Sequence, residues 1–274
     1  GITLSYPTRK LQINGLEMNV LIAGEGPPVL LVHGFPDTHE VWRKQIPMLV
    51  EAGYQVIAPD TRGCGESQLP PRIADYQRDL LVDDLRALLD ALQIDKVRLV
   101  AHDWGAVQGW LFALKYPQRV ERYIPLSVGH PTAYGSGGLG QKLKGWYVLM
   151  FQLPLFPEWL LKAGDWWFFR SWTNFPEEFA HWKPILERPG RLTAGINYYR
   201  ANVDLILPKP LPKARVPVYG IYSTGDRFLT EGQMRDSANY VDAPFRCAIV
   251  EGANHWLQVH APEKVNPLLL EFLK

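Results

Sequence analysis

Val97-Arg98-Leu99-Val100-Ala101-His102-Asp103-Trp104-Gly105 begins as a strand and ends as a helix. The run from Val97 to Ala101 reads as a short buried strand, and Gly105 to Leu114 reads as a helix that stops near Pro117. Between them, the small residues Ala101 and Gly105 flank a tight turn that leaves the central side chain little room except outward. This is the spacing and context of the G-x-S-x-G nucleophile turn, with Ala101 for the first glycine and Asp103 for the serine. The exchange changes the chemistry. Serine must be deprotonated before it attacks, whereas a carboxylate is already an anion at neutral pH. It suits displacement at a saturated carbon, leaving an alkyl ester for water to hydrolyse. An aspartate ahead of a helix is, taken alone, commonly an N-cap. Its assignment as a nucleophile therefore depends on its partners.

Outward from this turn, strands and helices alternate. Pro28 to Val32 and Tyr54 to Ala58 are apolar runs that read as buried strands, and Arg122 to Ser127 as a further one. Leu81, Leu85, Leu88, Leu89 and Leu92 recur at helical spacing within Leu80 to Leu92. After His130 the pattern breaks. From about Leu139 to Pro212 no strand alternation occurs, and Trp, Tyr, Phe and Pro suggest short helices, closed by the stiff run Pro208 to Pro212. Strand patterns return at Val216 to Tyr222 and Phe245 to Val250. The expected class is α/β, with a mostly parallel central sheet, helices on both faces and an inserted helical cap domain. The expected division is a core of residues 1–130 and 213–274 and a cap of residues 131–212.

Composition narrows the function. The 274 residues are 47% hydrophobic and 21% charged, with a formal net charge of +1. That is ordinary for a globular protein and gives no electrostatic case for nucleic acid or an anionic membrane. No apolar stretch is long enough to span a bilayer, and no basic segment followed by an apolar run marks a leader. Cys64 and Cys247 are expected as free thiols in a reducing, cytoplasmic setting. No zinc-type spacing occurs, so neither metal nor cofactor is expected. Six of the ten tryptophans fall between Trp146 and Trp182 and suggest an apolar, aromatic-lined pocket.

The partners of Asp103 are sought at other strand ends. His33-Gly34-Phe35-Pro36 follows the first strong strand, and glycine there lets the backbone approach a ligand. The N–H groups of Phe35 and Trp104 are the candidate oxyanion donors. Asp226 follows the Val216 to Tyr222 strand, and His255 follows the last one. The chain order nucleophile, acid, histidine makes His255 the candidate base and Asp226 the group that orients it. Seven histidines are present, and position after the last strand selects His255. His33, Phe35, Trp104 and Trp256 are the expected pocket lining.

His33 to Asp37, Trp42-Arg43-Lys44-Gln45, Asp60 to Ser67 and His102 to Gly105 together resemble the α/β-hydrolase-fold epoxide hydrolases. The resemblance spans nearly the whole chain. It implies hydrolysis of an epoxide to a vicinal diol through an ester on Asp103, with His255 and Asp226 activating water. It also implies two cap tyrosines that bind and protonate the epoxide oxygen. Trp146 to Gln152 points to Tyr147, and Asn197-Tyr198-Tyr199-Arg200 points to Tyr199 rather than Tyr198. The implied partners are a small apolar epoxide and water, with the protein a monomer or homodimer.

Haloalkane dehalogenase chemistry is the alternative, since it shares the aspartate nucleophile and uses a tryptophan placed like Trp104 as a halide ligand. A second donor, often asparagine, is replaced here by Phe35, though Trp166 or Trp167 could substitute. Fluoroacetate dehalogenases typically carry arginine where this chain has Trp104. A non-catalytic binding protein on the same fold is a further alternative, disfavoured by the presence of Asp103, Asp226 and His255 together.

Overall fold

The computed structural model describes residues 6–274. The leader reading and the start of the expected core segment fall on residues 1–5, which lie outside them. Eight strands form one sheet in the order β1-β2-β4-β3-β5-β6-β7-β8. The strands are β1 (Thr8–Ile13), β2 (Leu16–Ala23), β3 (Pro28–Val32), β4 (Gln55–Pro59), β5 (Val97–His102), β6 (Val120–Leu126), β7 (Val218–Ser223) and β8 (Phe245–Val250). From β4 to β8 every pairing is parallel, while β1-β2 and β2-β4 are antiparallel.

The first two strands are additional to the sequence expectation. Asn14 and Gly15, both at positive φ, form the turn between them. Asn-Gly is the strongest short hairpin signal, because both central residues of a type I′ turn need positive φ. β1 lies at the sheet edge, begins with the polar run Thr8-Arg9-Lys10 and is largely exposed, so it lacks the apolar run that marks a buried strand.

Helices cover both faces. α1 (Ile46–Glu51) precedes β4, α2 (Arg78–Ala91) follows it, and α3 (Trp104–Lys115) follows β5. α2 turns Leu81, Leu85, Leu88 and Leu89 inward and packs against α3. β5, between β3 and β6, has Leu99, Val100 and Ala101 completely buried, as expected for a strand covered on both faces.

Between β6 and β7 the chain forms α4 (Pro131–Gly135), α5 (Leu139–Lys144), α6 (Tyr147–Met150), α7 (Phe156–Thr173), α8 (Pro176–Leu186) and α9 (Arg191–Ala201). α7 is broken by non-helical backbone from Ala163 to Trp166. Three charge pairs tie this insertion to the sheet domain: Arg43 with Glu178, Arg78 with Asp204, and Arg188 with Glu66. After β7 come α10 (Glu231–Arg235), β8, α11 (Leu257–His260) and α12 (Pro262–Leu273).

Candidate active site

Phe35, Asp103, Asp226 and His255 leave the sheet beyond the C-terminal ends of β3, β5, β7 and β8. The carboxyl edge of a parallel sheet is where open α/β folds form their crevices. Asp103 sits at φ 57°, ψ −126°, a backbone region disfavoured for a non-glycine residue. Two glycines make the turn possible. A Cβ on Gly105 would lie 2.2 Å from the Val32 carbonyl oxygen, and one on Gly34 would lie 2.6 Å from Asp103 Oδ2. The turn must therefore press directly against β3 and its loop.

The Asp103 carboxylate is held on both sides. Oδ2 accepts from the Phe35 N–H at 2.9 Å, and Oδ1 lies 3.0 Å from His255 Nε2. His255 Nδ1 is 2.8 Å from Asp226 Oδ2. Asp226 Oδ1 accepts from the backbone N–H groups of Phe228 and Leu229 at 2.8 and 3.0 Å, which fixes the carboxylate. Trp104 opens α3, so its N–H is one of the helix's first-turn donors without an intrahelical acceptor.

Electrostatics follow from this chain of contacts. Burial opposes ionisation of Asp103, but the hydrogen bond and charge of His255, His102 and the Phe35 N–H hold its pKa below the usual value. Burial likewise opposes charging His255, but Asp226 and Asp103 outweigh it and push the imidazole up to about 10. The resting site is therefore an imidazolium between two carboxylates. His102 is buried beside it, its Nε2 2.8 Å from the His255 carbonyl oxygen, and is pushed down to about 3 by burial and by the His255 charge. It is a neutral support for the His255 loop.

Two cavity arms meet at Asp103. The wider, about 80 Å³, is lined by Trp104, Tyr134, Tyr147, Tyr199 and apolar residues including Val107 and Leu205. The narrower, about 10 Å³, is lined by Phe35, Tyr147, Trp172, Tyr199, Phe228, His255 and Trp256. That is about the space one water needs. Tyr147 and Tyr199 line both arms, with ring centroids 5.8 Å apart, and Tyr199 stands edge-on to Trp104 at 5.2 Å. Burial raises both phenols well above their ordinary pKa, so both are neutral donors. Tyr198 faces elsewhere, donating to Thr61 Oγ1 at 3.1 Å and to the Arg62 carbonyl. Successive residues on a helix point in different directions.

Other expected residues separate in the same way. Phe35, Trp104 and Trp256 border the cavity, while His33 faces a neighbouring hollow beside Thr61 and Cys64. Its ring nitrogens are engaged with the Gly34 carbonyl and the Thr61 N–H. Of the six clustered tryptophans, Trp172 alone borders an Asp103 arm. Trp166 and Trp182 are packed in the core, and Trp146, Trp159 and Trp167 are exposed. Neither Trp166 nor Trp167 is thus placed as a second halide donor. Three features lie outside the sequence reading. Tyr134 is a third phenol in the wide arm, raised to about 12 by burial and by Asp103. Its only sequence signal is Pro131 starting a helix directly after the β6 edge. Phe228 packs edge-on to His255 at 5.2 Å. Asp37, buried, accepts from the indole N–H groups of Trp182 and Trp256 at 2.8 and 3.1 Å, which joins α8 to the His255 loop.

Comparison with known proteins identifies the family. The chain matches the family described as alpha/beta hydrolase fold over residues 27–163. It is 32% identical to epoxide hydrolase 3 of Xenopus tropicalis, across 97% of this chain and 77% of that protein. It is also 32% identical to epoxide hydrolase A of Mycobacterium tuberculosis, across 98% of each. The chain belongs to the α/β-hydrolase-fold epoxide hydrolase family. Its fold superimposes on the crystal structure of an epoxide hydrolase from Vigna radiata with a TM-score of 0.85, at 30% identity and 97% coverage of each chain.

For this family member, the His255 charge has a consequence for stability. Its folded-state pKa, about 10, exceeds the ordinary value of 6.5. The stabilisation is fully present below about pH 6.5 and is lost as pH rises towards 10. The melting temperature is expected to fall across that window. In Asp226→Asn the fall should be much shallower, and an equal slope in the two proteins would contradict the ion-pair assignment.

Proposed function

We propose that this family member hydrolyses an epoxide to a vicinal diol through a covalent ester on Asp103, with the 131–212 insertion as its cap. The observation that carries the proposal is the pair of buried neutral phenols, Tyr147 and Tyr199, lining the same cavity as the Asp103 carboxylate. Epoxide opening develops negative charge on an oxygen remote from the Phe35 N–H. Two phenols across the cavity can bind that oxygen and give it a proton. Halide departure needs no proton.

In the first step Oδ1 of Asp103 attacks an epoxide carbon and the C–O bond breaks. The ring oxygen takes a proton from a tyrosine hydroxyl. Oδ2 remains as the ester carbonyl, already facing the Phe35 N–H. Esterification removes the charge of Asp103, one of the two carboxylates that raise His255. The imidazolium then gives up its proton, which restores the tyrosine hydroxyl, and the neutral imidazole accepts one from water. The resulting hydroxide attacks Cγ of Asp103, and the N–H groups of Phe35 and Trp104 stabilise the oxyanion on Oδ2. Collapse breaks the Cγ–Oδ1 bond, and the leaving alkoxide takes a proton from the His255 imidazolium to complete the diol. The new Asp103 carboxylic acid returns a proton to His255, which restores the carboxylate and the imidazolium. The wide arm holds the substrate's carbon frame, and the narrow arm beside His255 holds the water.

Incubation with styrene oxide and, separately, with a bromoalkane tests the proposal. Diol is expected from the first, and bromide release without diol formation would overturn it. Tyr147→Phe and Tyr199→Phe are each expected to lower kcat/KM for styrene oxide by about 10- to 100-fold, and the double variant by about 1,000-fold or more. Full activity in the double variant would remove both phenols from the mechanism.

A further inference from the structure

The insertion carries an apolar surface that nothing in the described structure covers. Leu139, Leu143 and Trp146 follow helical spacing along α5 and into α6, and all three are exposed. Phe168 of α7 packs edge-on to Trp146 at 6.3 Å, and Leu155, Trp159 and Trp167 at and within α7 are also exposed, by 80%, 65% and 63%. Among the described residues, nine of the eleven large exposed apolar side chains fall between Leu139 and Trp167. Large exposed apolar patches mark interaction sites.

The net charge of +1 gave no case for an anionic membrane, but a local group of cations beside apolar residues does, and it identifies the partner. Lys144 and Arg227 border the same hollow as Leu143 and Trp146, Lys142 is on α5 and Lys162 and Arg170 are on α7, and none of the five has a carboxylate within 4.0 Å among the described residues. The acids there are already taken, Glu158 by Arg200 and Asp165 by Lys183. Tryptophan and leucine among unpaired cations suit the boundary of an anionic bilayer. A twofold contact with a second copy would instead bring like charges together. The same surface leads to the active site. A hollow of about 260 Å³ at Leu143, Lys144 and Trp146 is also bordered by Trp172 and Phe228, which line the arm next to His255.

We infer that the exposed apolar face of the insertion docks on an anionic lipid bilayer and admits bilayer-dissolved, apolar epoxides through the opening between Trp146, Trp172 and Phe228. Docking stands on the surface alone, and the substrate class rests on the epoxide hydrolase reading. Among the described residues no helix is long and apolar enough to cross a membrane, so the contact is lateral.

Cosedimentation with phosphatidylcholine vesicles, with and without phosphatidylglycerol, tests docking. The protein is expected to bind the anionic vesicles, with a blue shift in tryptophan emission, and to be released as salt is raised. Leu155→Glu with Trp159→Glu should reduce binding about tenfold or more. Lys142→Ala and Lys162→Ala should each reduce it about fivefold. Hydrolysis of styrene oxide in vesicle-free buffer should be unchanged in all of these variants, which shows that they fold. Absence of wild-type binding, or binding unaffected by the glutamates, overturns the inference. So does a dimer in sedimentation velocity that the glutamates dissolve without any vesicle binding. Vesicle binding by a protein inactive on every epoxide would leave docking intact and reject the epoxide reading instead.

Discussion

Asp103→Asn is expected to abolish diol formation from styrene oxide, with a loss of about 10,000-fold or more in kcat/KM. The amide is neutral and a poor nucleophile, so no ester forms. The site itself should survive. Asparagine is nearly isosteric, it tolerates positive φ better than most residues, and its carbonyl oxygen can still accept from the Phe35 N–H. The variant should therefore fold and retain the cavity, and a competitive diol or amide inhibitor should still bind. Turnover within about tenfold of wild type would exclude Asp103 as the nucleophile. Single-turnover cycles in heavy-oxygen water give an independent measure, because ester hydrolysis places solvent oxygen in the Asp103 carboxylate. An unlabelled carboxylate after repeated cycles would mean that water attacks the epoxide directly.

His255→Gln should separate the two halves of the reaction. Asp103 keeps the Phe35 N–H and the phenols face it unchanged, so alkylation proceeds. No group remains to take a proton from water, and the ester persists. Intact-protein mass spectrometry is expected to show the protein plus one substrate, trapped on Asp103, while steady-state turnover drops by about 1,000-fold or more. Loss of turnover with no adduct would place His255 in the first step as well. The wild-type pH profile supplies the complementary test. Asp103 is held below the usual carboxylate range, so the alkylation rate should persist into acid. Ester hydrolysis should fail earlier as pH drops, because it needs the neutral imidazole.

The alternating core, the turn at Asp103 and the chain order of Asp226 and His255 are legible in the sequence, because each is written in local patterns. Buried strands announce themselves as apolar runs, and the nucleophile turn as small residues at fixed spacing. The β1-β2 hairpin escaped because β1 is an exposed edge strand, although Asn14-Gly15 carried its signal. The tryptophans between Trp146 and Trp182 were the weakest guide. Composition alone suggested a common pocket, yet Trp172 borders the cavity, Trp182 holds Asp37, and Trp159 and Trp167 face outward.

What the amino-acid sequence determined by itself was the succession of elements and the chemistry available at the strand ends. Backbone periodicity and turn sterics act over a few residues and need no distant partner. Tertiary structure alone decided which of two adjacent tyrosines faces Asp103. Tyr198 is drawn to Thr61 and Arg62, 137 and 136 residues away, and that contact turns Tyr199 towards the cavity. It likewise decided that Asp103 and Asp226, 123 positions apart in the chain, flank His255, one at each ring nitrogen. The charge of that imidazole follows from the nearness of two carboxylates, which outweighs the opposing effect of burial, and spacing along the chain specifies neither.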